Sequence, residues 1–140
     1  MADPVTSVMA TQTNDSYLAS TLDSTIRLMD KRDGKLLQAF RDERFRNTEY
    51  RIRSTLAAAD SLVISGSEDG GIYVWDLLEG RLLHRLNHFQ QSMTDGKGAV
   101  AGAQNKAKKE VVSAVVWNQV RKQWASAGSD GTVVVWGNDK

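Results

Sequence analysis

Three segments of this chain repeat one another. Asp23-Ser24-Thr25-Ile26-Arg27-Leu28-Met29-Asp30 aligns with Asp69-Gly70-Gly71-Ile72-Tyr73-Val74-Trp75-Asp76, and both align with Asp130-Gly131-Thr132-Val133-Val134-Val135-Trp136-Gly137. The first two are 46 residues apart, and the same spacing sets Asp33-Gly34-Lys35-Leu36-Leu37 over Glu79-Gly80-Arg81-Leu82-Leu83. A period of this size implies a row of small units, none of which can bury its apolar surface alone. The third copy follows after 61 residues, so an insertion separates it from the second. Residues 90–109, rich in Gln, Ser, Gly, Ala, Asn and Lys, supply it. They carry too little apolar surface to offset chain entropy, and they read as a flexible loop with Lys97, Lys106, Lys108 and Lys109 solvated.

Within each unit the side chains alternate with a period of two. Ile72 and Val74 face one way and Tyr73 and Trp75 the other, and residues 133–136 behave alike. Strands apolar on both faces are buried on both faces, so each sheet is expected to lie between neighbours. Asp69-Gly70 and Asp130-Gly131 are tight-turn signals that join these strands to the ones before, which contain Leu62-Val63-Ile64-Ser65 and Trp124-Ala125-Ser126. Earlier strands are expected at 5–10, 51–56 and 111–117. More polar outer ones are expected at 35–40 and 81–86. The fold class is therefore all-β, with four short antiparallel strands per unit.

Composition narrows the chemistry. Eighteen Lys and Arg against 17 Asp and Glu leave a net charge of +1, which gives the whole chain no pull toward nucleic acid or membrane. The absence of Cys excludes disulfides, thiol nucleophiles and thiolate metal sites, and two His without metal-site spacing make an imidazole cage a poor fit. Phosphate-cradling and nucleophile-elbow motifs are missing: Gly96-Lys97-Gly98 has neither the upstream Gly nor the following Ser or Thr. No catalytic residue, metal or cofactor is assigned. No signal peptide or membrane-length apolar run is visible, so a soluble protein of the cytoplasm, the nucleus or both is expected.

Ser65-Gly66-Ser67-Glu68-Asp69-Gly70 with Val74-Trp75-Asp76, and residues 126–131 with Val135-Trp136, resemble the blades of WD40-repeat β-propellers. The resemblance implies a single partial propeller over 1–140. Blade 1 falls at about 4–40, blade 2 at about 50–87, a flexible insertion at about 89–109 and blade 3 at about 110–137, the last without its outer strand. It also implies a buried hydrogen-bond chain of Ser, Asp, Trp and His in each blade. The residues that match are Ser65, Asp69 and Trp75 in blade 2, and Ser126, Asp130 and Trp136 in blade 3, the latter completed by His88. Such a chain is physically coherent, because an indole only donates, a carboxylate only accepts, and hydroxyl and imidazole relay between them. Blade 2 has Asp42 where the imidazole belongs, and blade 1 has Ala19 and Met29 in place of Ser and Trp, so its network should be absent. His84 is expected to face solvent. The segments 22–30, 48–50 and 67–70 further resemble the family of mitogen-activated protein kinase organisers, seven-bladed WD-repeat scaffolds associated with kinase signalling and pre-mRNA splicing assemblies.

Three blades do not close a ring. The chain is therefore expected to be the C-terminal portion of a propeller, with apolar faces open at both ends for missing blades or self-association. The function expected is non-enzymatic: a scaffold or adaptor for other proteins. Arg41, Arg44, Phe45, Arg46 and Tyr50 are the candidate partner contacts, since arginines interleaved with aromatics are enriched at interface hot spots. The same stretch leaves a peripheral RNA contact open. Asp30-Lys31-Arg32 keeps part of a motif found in ubiquitin-ligase substrate adaptors, with Met29 where that motif has Trp.

Overall fold

The computed structural model describes residues 3–89, 99–100 and 110–137. These form three antiparallel sheets that follow one another along the chain as the blades of an unclosed propeller. The first contains β1 (Val5–Ala10), β2 (Ser16–Thr21), β3 (Thr25–Asp30) and β4 (Leu36–Phe40), in that order across the sheet. The second contains β5 (Ser54–Ala57), β6 (Leu62–Gly66), β7 (Gly71–Asp76) and β8 (Leu82–Asn87). After β8 the chain turns helically at His88 and Phe89.

The third sheet has three strands from the repeat: β10 (Val112–Asn118), β11 (Gln123–Gly128) and β12 (Val133–Trp136). Among the described residues no full-length outer strand follows β12. Its place beside β12 is taken by a two-residue strand, β9 (Ala99–Val100), with Val133 opposite Val100. Residues 99–100 fall within the stretch expected as an insertion. Its polar composition hides an Ala-Val pair able to satisfy an edge whose backbone groups would otherwise lack partners. The loop lysines 97, 106, 108 and 109 lie outside the described residues.

The pairing register confirms that the repeats superpose. Val8 pairs with Ala19, Ser54 with Ser65, and Val115 with Ser126, so these positions are equivalent. Turn chemistry repeats too. Gly70 and Gly131 have φ of +83° and +85°, and Ser24 takes the same left-handed place in blade 1 at +58°. Glycine is the natural occupant of such a turn. Ser24 sits there because its hydroxyl accepts the Asn47 N–H at 3.0 Å, tying the turn to the connector between blades 1 and 2.

Two apolar clusters lie between the sheets. Leu18, Ile26, Leu28 and Phe40 of blade 1 pack on Leu56, Val63, Tyr73 and Trp75 of blade 2. One repeat later, Ile64, Ile72 and Val74 pack on Val112, Val115 and Phe89, with Trp117, Trp124 and Trp136 alongside. Each blade thus has a leading face that receives the previous blade and a trailing face that receives the next. Residues 51–53, expected to extend β5, instead cross between blades. The Ile52 carbonyl accepts from Thr6 at 2.9 Å and the Arg53 N–H donates to the Ser113 carbonyl at 3.2 Å.

Candidate functional site

Blade 3 holds a polar chain of five side chains, Trp136, Ser126, His88, Thr132 and Asp130. The Trp136 indole donates to Ser126 Oγ at 2.9 Å, and Ser126 Oγ lies 2.7 Å from His88 Nδ1. His88 Nε2 lies 2.9 Å from Thr132 Oγ1, which donates to Asp130 Oδ1 at 2.6 Å. One proton arrangement satisfies every link: Trp136 to Ser126 to Nδ1, then Nε2–H to Thr132 to Asp130. It requires neutral imidazole. Burial indeed pushes the His88 pKa down, against the opposing pull of Asp130, whose carboxylate is 3.9 Å from Nε2. His88 is fully buried, and Gly128 lies so close that a Cβ there would strike the ring.

Thr132 is the member the sequence reading missed. Its signal was available: blade 3 reads Asp-Gly-Thr where blade 2 reads Asp-Gly-Gly.

Blade 2 does not build the same chain, which corrects the grouping of Ser65, Asp69 and Trp75. Ser65 Oγ bonds the neighbouring Gly66 carbonyl at 2.9 Å. The Trp75 indole donates to the Arg41 carbonyl at 3.3 Å. Asp69 accepts from the Tyr73 hydroxyl at 2.5 Å, from Arg85 at 3.0 Å and from the Gly71 N–H at 2.9 Å. Burial pushes the Asp69 carboxyl up, but the hydrogen bonds from Tyr73, Gly71 and Arg85 outweigh it and hold the pKa below the usual range. The Arg85 guanidinium also lies over the Tyr73 ring, 5.5 Å from its centroid. Asp42 stands at the place of His88, and Gly71 at the place of Thr132. The Asp42 carboxylate turns outward to the Arg44 N–H at 3.0 Å and to Arg44 Nε at 3.2 Å. In blade 1, Ala19 and Met29 occupy the Ser and Trp positions. The Asp23 carboxylate pairs with Arg27 at 2.7 Å instead.

The connector 41–53 carried the candidate partner contacts. Phe45 is not one of them: it is fully buried, edge-on to Trp75 at 5.2 Å and to Tyr73 at 5.4 Å. The turn closed by Phe45 N–H to Asp42 carbonyl, at 3.2 Å, points this ring inward while its neighbours point out. Arg41, Arg44 and Arg46 are exposed, and Tyr50 is 42% exposed.

Glu68 fixes this connector, a role the sequence did not disclose. One carboxylate oxygen accepts the N–H groups of Thr48, Glu49 and Tyr50 at 2.8–2.9 Å, and the other accepts the Thr48 hydroxyl at 2.9 Å. Burial raises the Glu68 pKa, and these hydrogen bonds more than reverse that, leaving it below the ordinary range. The Glu68 N–H donates to the Arg46 carbonyl at 2.9 Å, so the segment is held from both sides. Among the described residues no cluster of three or more His, Asp or Glu is placed to hold a metal ion, and no helix is long and apolar enough to cross a membrane.

Comparison with known proteins agrees with this architecture. The family model for the WD domain, G-beta repeat, matches residues 52–76 and 103–137. The chain is 42% identical over 74 residues to an uncharacterised WD repeat-containing protein of Schizosaccharomyces pombe, covering 53% of this chain and 24% of that protein. It is 39% identical over 82 residues to human WD repeat domain-containing protein 83, covering 59% and 25%. Over 91 residues it is 35% identical to the Dictyostelium discoideum homologue of that protein, covering 65% and 27%. The chain thus matches about a quarter of the length of these relatives.

Proposed function

We propose that this chain, a partial propeller of WD40 blades, is a non-enzymatic scaffold or adaptor that binds other proteins through the connector between its first two blades. WD-repeat proteins are generally protein-interaction scaffolds, and loops held on a rigid sheet are their usual binding surfaces. One observation carries the assignment to this connector. Phe45 and Glu68 lock it from below, so Arg41, Arg44, Arg46 and Tyr50 are displayed on a backbone that is already ordered. Binding through such a surface loses little conformational entropy, and Arg and Tyr are the residue types that dominate interface energies.

The assemblies we propose for it are kinase-signalling or pre-mRNA splicing complexes, in the cytoplasm, the nucleus or both. Cross-linking and mass spectrometry of the chain in native extract tests the reading, alongside a variant carrying Arg41→Glu and Arg46→Glu. A defined set of proteins captured by the parent and lost from the variant is expected. An unchanged set, or capture of RNA that weakens steeply with salt in place of protein, overturns it.

A further inference from the structure

We infer that Thr48 is an acceptor site for a protein kinase that selects basic residues, and that its phosphorylation opens the Glu68 clamp and releases the protein bound at the connector. The inference rests on the connector reading above, and it begins with the residues a kinase can reach. Four Ser or Thr residues lie within five positions after an arginine: Thr48, Ser54, Thr55 and Ser126. Ser54, Thr55 and Ser126 are buried in blades 2 and 3. Thr48 alone of the four is exposed, with Arg44 and Arg46 just before it and Arg51 and Arg53 after it. Each of these arginines is exposed, and residues 41–53 form neither helix nor strand. The acidic cleft of a basic-directed kinase is complementary to such a segment.

The consequence follows from where the hydroxyl points. Thr48 Oγ1 donates to Glu68 Oε1 at 2.9 Å, while Glu68 Oε2 accepts the N–H groups of Thr48, Glu49 and Tyr50 at 2.8–2.9 Å. In the transfer, Thr48 Oγ1 attacks the terminal phosphorus of ATP. The new O–P bond forms, the bond from that phosphorus to ADP breaks, and the hydroxyl proton passes to the kinase's own base. The hydrogen bond to Glu68 thereby loses its donor. In its place stands a phosphate of about −1.5 to −2 charge at pH 7, beside a carboxylate. Hydrogen bonds hold Glu68 in its ionised form, so the two repel. The kinase reaches Thr48 when the clamp opens transiently, and the phosphate then keeps it open.

Two effects on a bound protein follow together. The backbone under Tyr50 loses its order, and the phosphate competes with the partner for the neighbouring arginines, Arg46 and Arg51. The anchor on the other side of the clamp is untouched. There the Arg46 N–H donates to Ser67 Oγ at 2.9 Å, and the Arg46 carbonyl accepts the Glu68 N–H at 2.9 Å. Opening is therefore confined to residues 48–50.

The full chain is incubated with magnesium ATP and either of two basic-directed enzymes, cyclic-AMP-dependent protein kinase and protein kinase C. Mass spectrometry should find phosphate on Thr48, and none at that position in a Thr48→Val variant, which alters only an exposed side chain. Arg44→Ala combined with Arg46→Ala should slow the modification at least about tenfold. Hydrogen exchange at the amides of residues 48–50 should accelerate at least about tenfold on phosphorylation, with the Arg46 amide unchanged. Capture of proteins from native extract should fall by a similar factor, whereas kinase-treated Thr48→Val should capture as the untreated parent does. No phosphate on Thr48 with either enzyme, unchanged exchange at 48–50, or undiminished capture overturns the inference. The connector reading survives those results as long as the unmodified chain captures its proteins. A chain that captures nothing before modification overturns the connector reading, and the release with it, even where phosphate and exchange behave as expected.

Discussion

Blades 2 and 3 share strand pattern, Asp-Gly turn and terminal Trp, yet their sheets are held by different polar groups. Blade 3 threads a five-member chain from Trp136 to Asp130 through an imidazole supplied by the segment before it. Blade 2 receives Asp42 from its corresponding segment, and its Asp69 turns to Tyr73 and Arg85. Packing follows the same division. Trp75 is fully buried and surrounded by Phe40, Phe45 and Tyr73, whereas Trp136 is half-buried and stacks on Trp124, at 5.1 Å. The difference teaches that a repeated spacing inside a blade does not by itself determine its hydrogen bonds.

The largest test of this contrast is truncation of the two indoles. Trp75→Ala should destabilise the chain by about 3–5 kcal/mol, as expected for a fully buried aromatic, and Trp136→Ala by clearly less. Chemical denaturation measures both, and equal losses would erase the distinction in packing. Next come the two serines. Ser126→Ala leaves the Trp136 donor and His88 Nδ1 without their partner, at a cost of about 1–3 kcal/mol. Ser65→Ala removes only a bond to the adjacent carbonyl and should cost less than about 1 kcal/mol. A Ser65→Ala loss equal to that of Ser126→Ala would mean that blade 2 has a network after all.

The smallest effect is in pH. Burial depresses the His88 pKa below its ordinary 6.5, so the unfolded chain binds this proton before the folded one does. The stability His88 contributes is therefore complete above that value and is lost as pH falls through it toward the folded pKa. His88→Gln should flatten this part of the profile. Thermal melts from pH 7.5 down to 5 would reveal an unchanged slope if the imidazole were not the titrating group.

The strands were legible because Ile72–Trp75 and Val133–Trp136 are apolar on both faces, a pattern few other structures tolerate. The polar chain of blade 3 was legible because Ser126, Asp130 and Trp136 repeat the blade 2 spacing and Asn87-His88 stands where the resemblance sets an imidazole. Phe45 was misplaced for a physical reason: in Arg44-Phe45-Arg46 composition signals an interface, but the Asp42 turn decides which side chain points inward. The Glu68 clamp depends on three N–H groups some twenty residues upstream converging on one carboxylate. Such convergence is a property of the connector's path and leaves no trace in spacing. The two-residue strand at Ala99–Val100 escaped notice because the surrounding composition is that of a solvated tether.

The placement of His88 has a consequence for how the array comes apart. The ring belongs by sequence to the end of one sheet and by hydrogen bonding to the next, so neither sheet can open there without exposing the other's polar interior. The same directionality appears where Trp75 reaches back to the Arg41 carbonyl. Blades 2 and 3 are each joined by a group from the unit before, so damage in an early unit is expected to pass down the row instead of stopping at a seam.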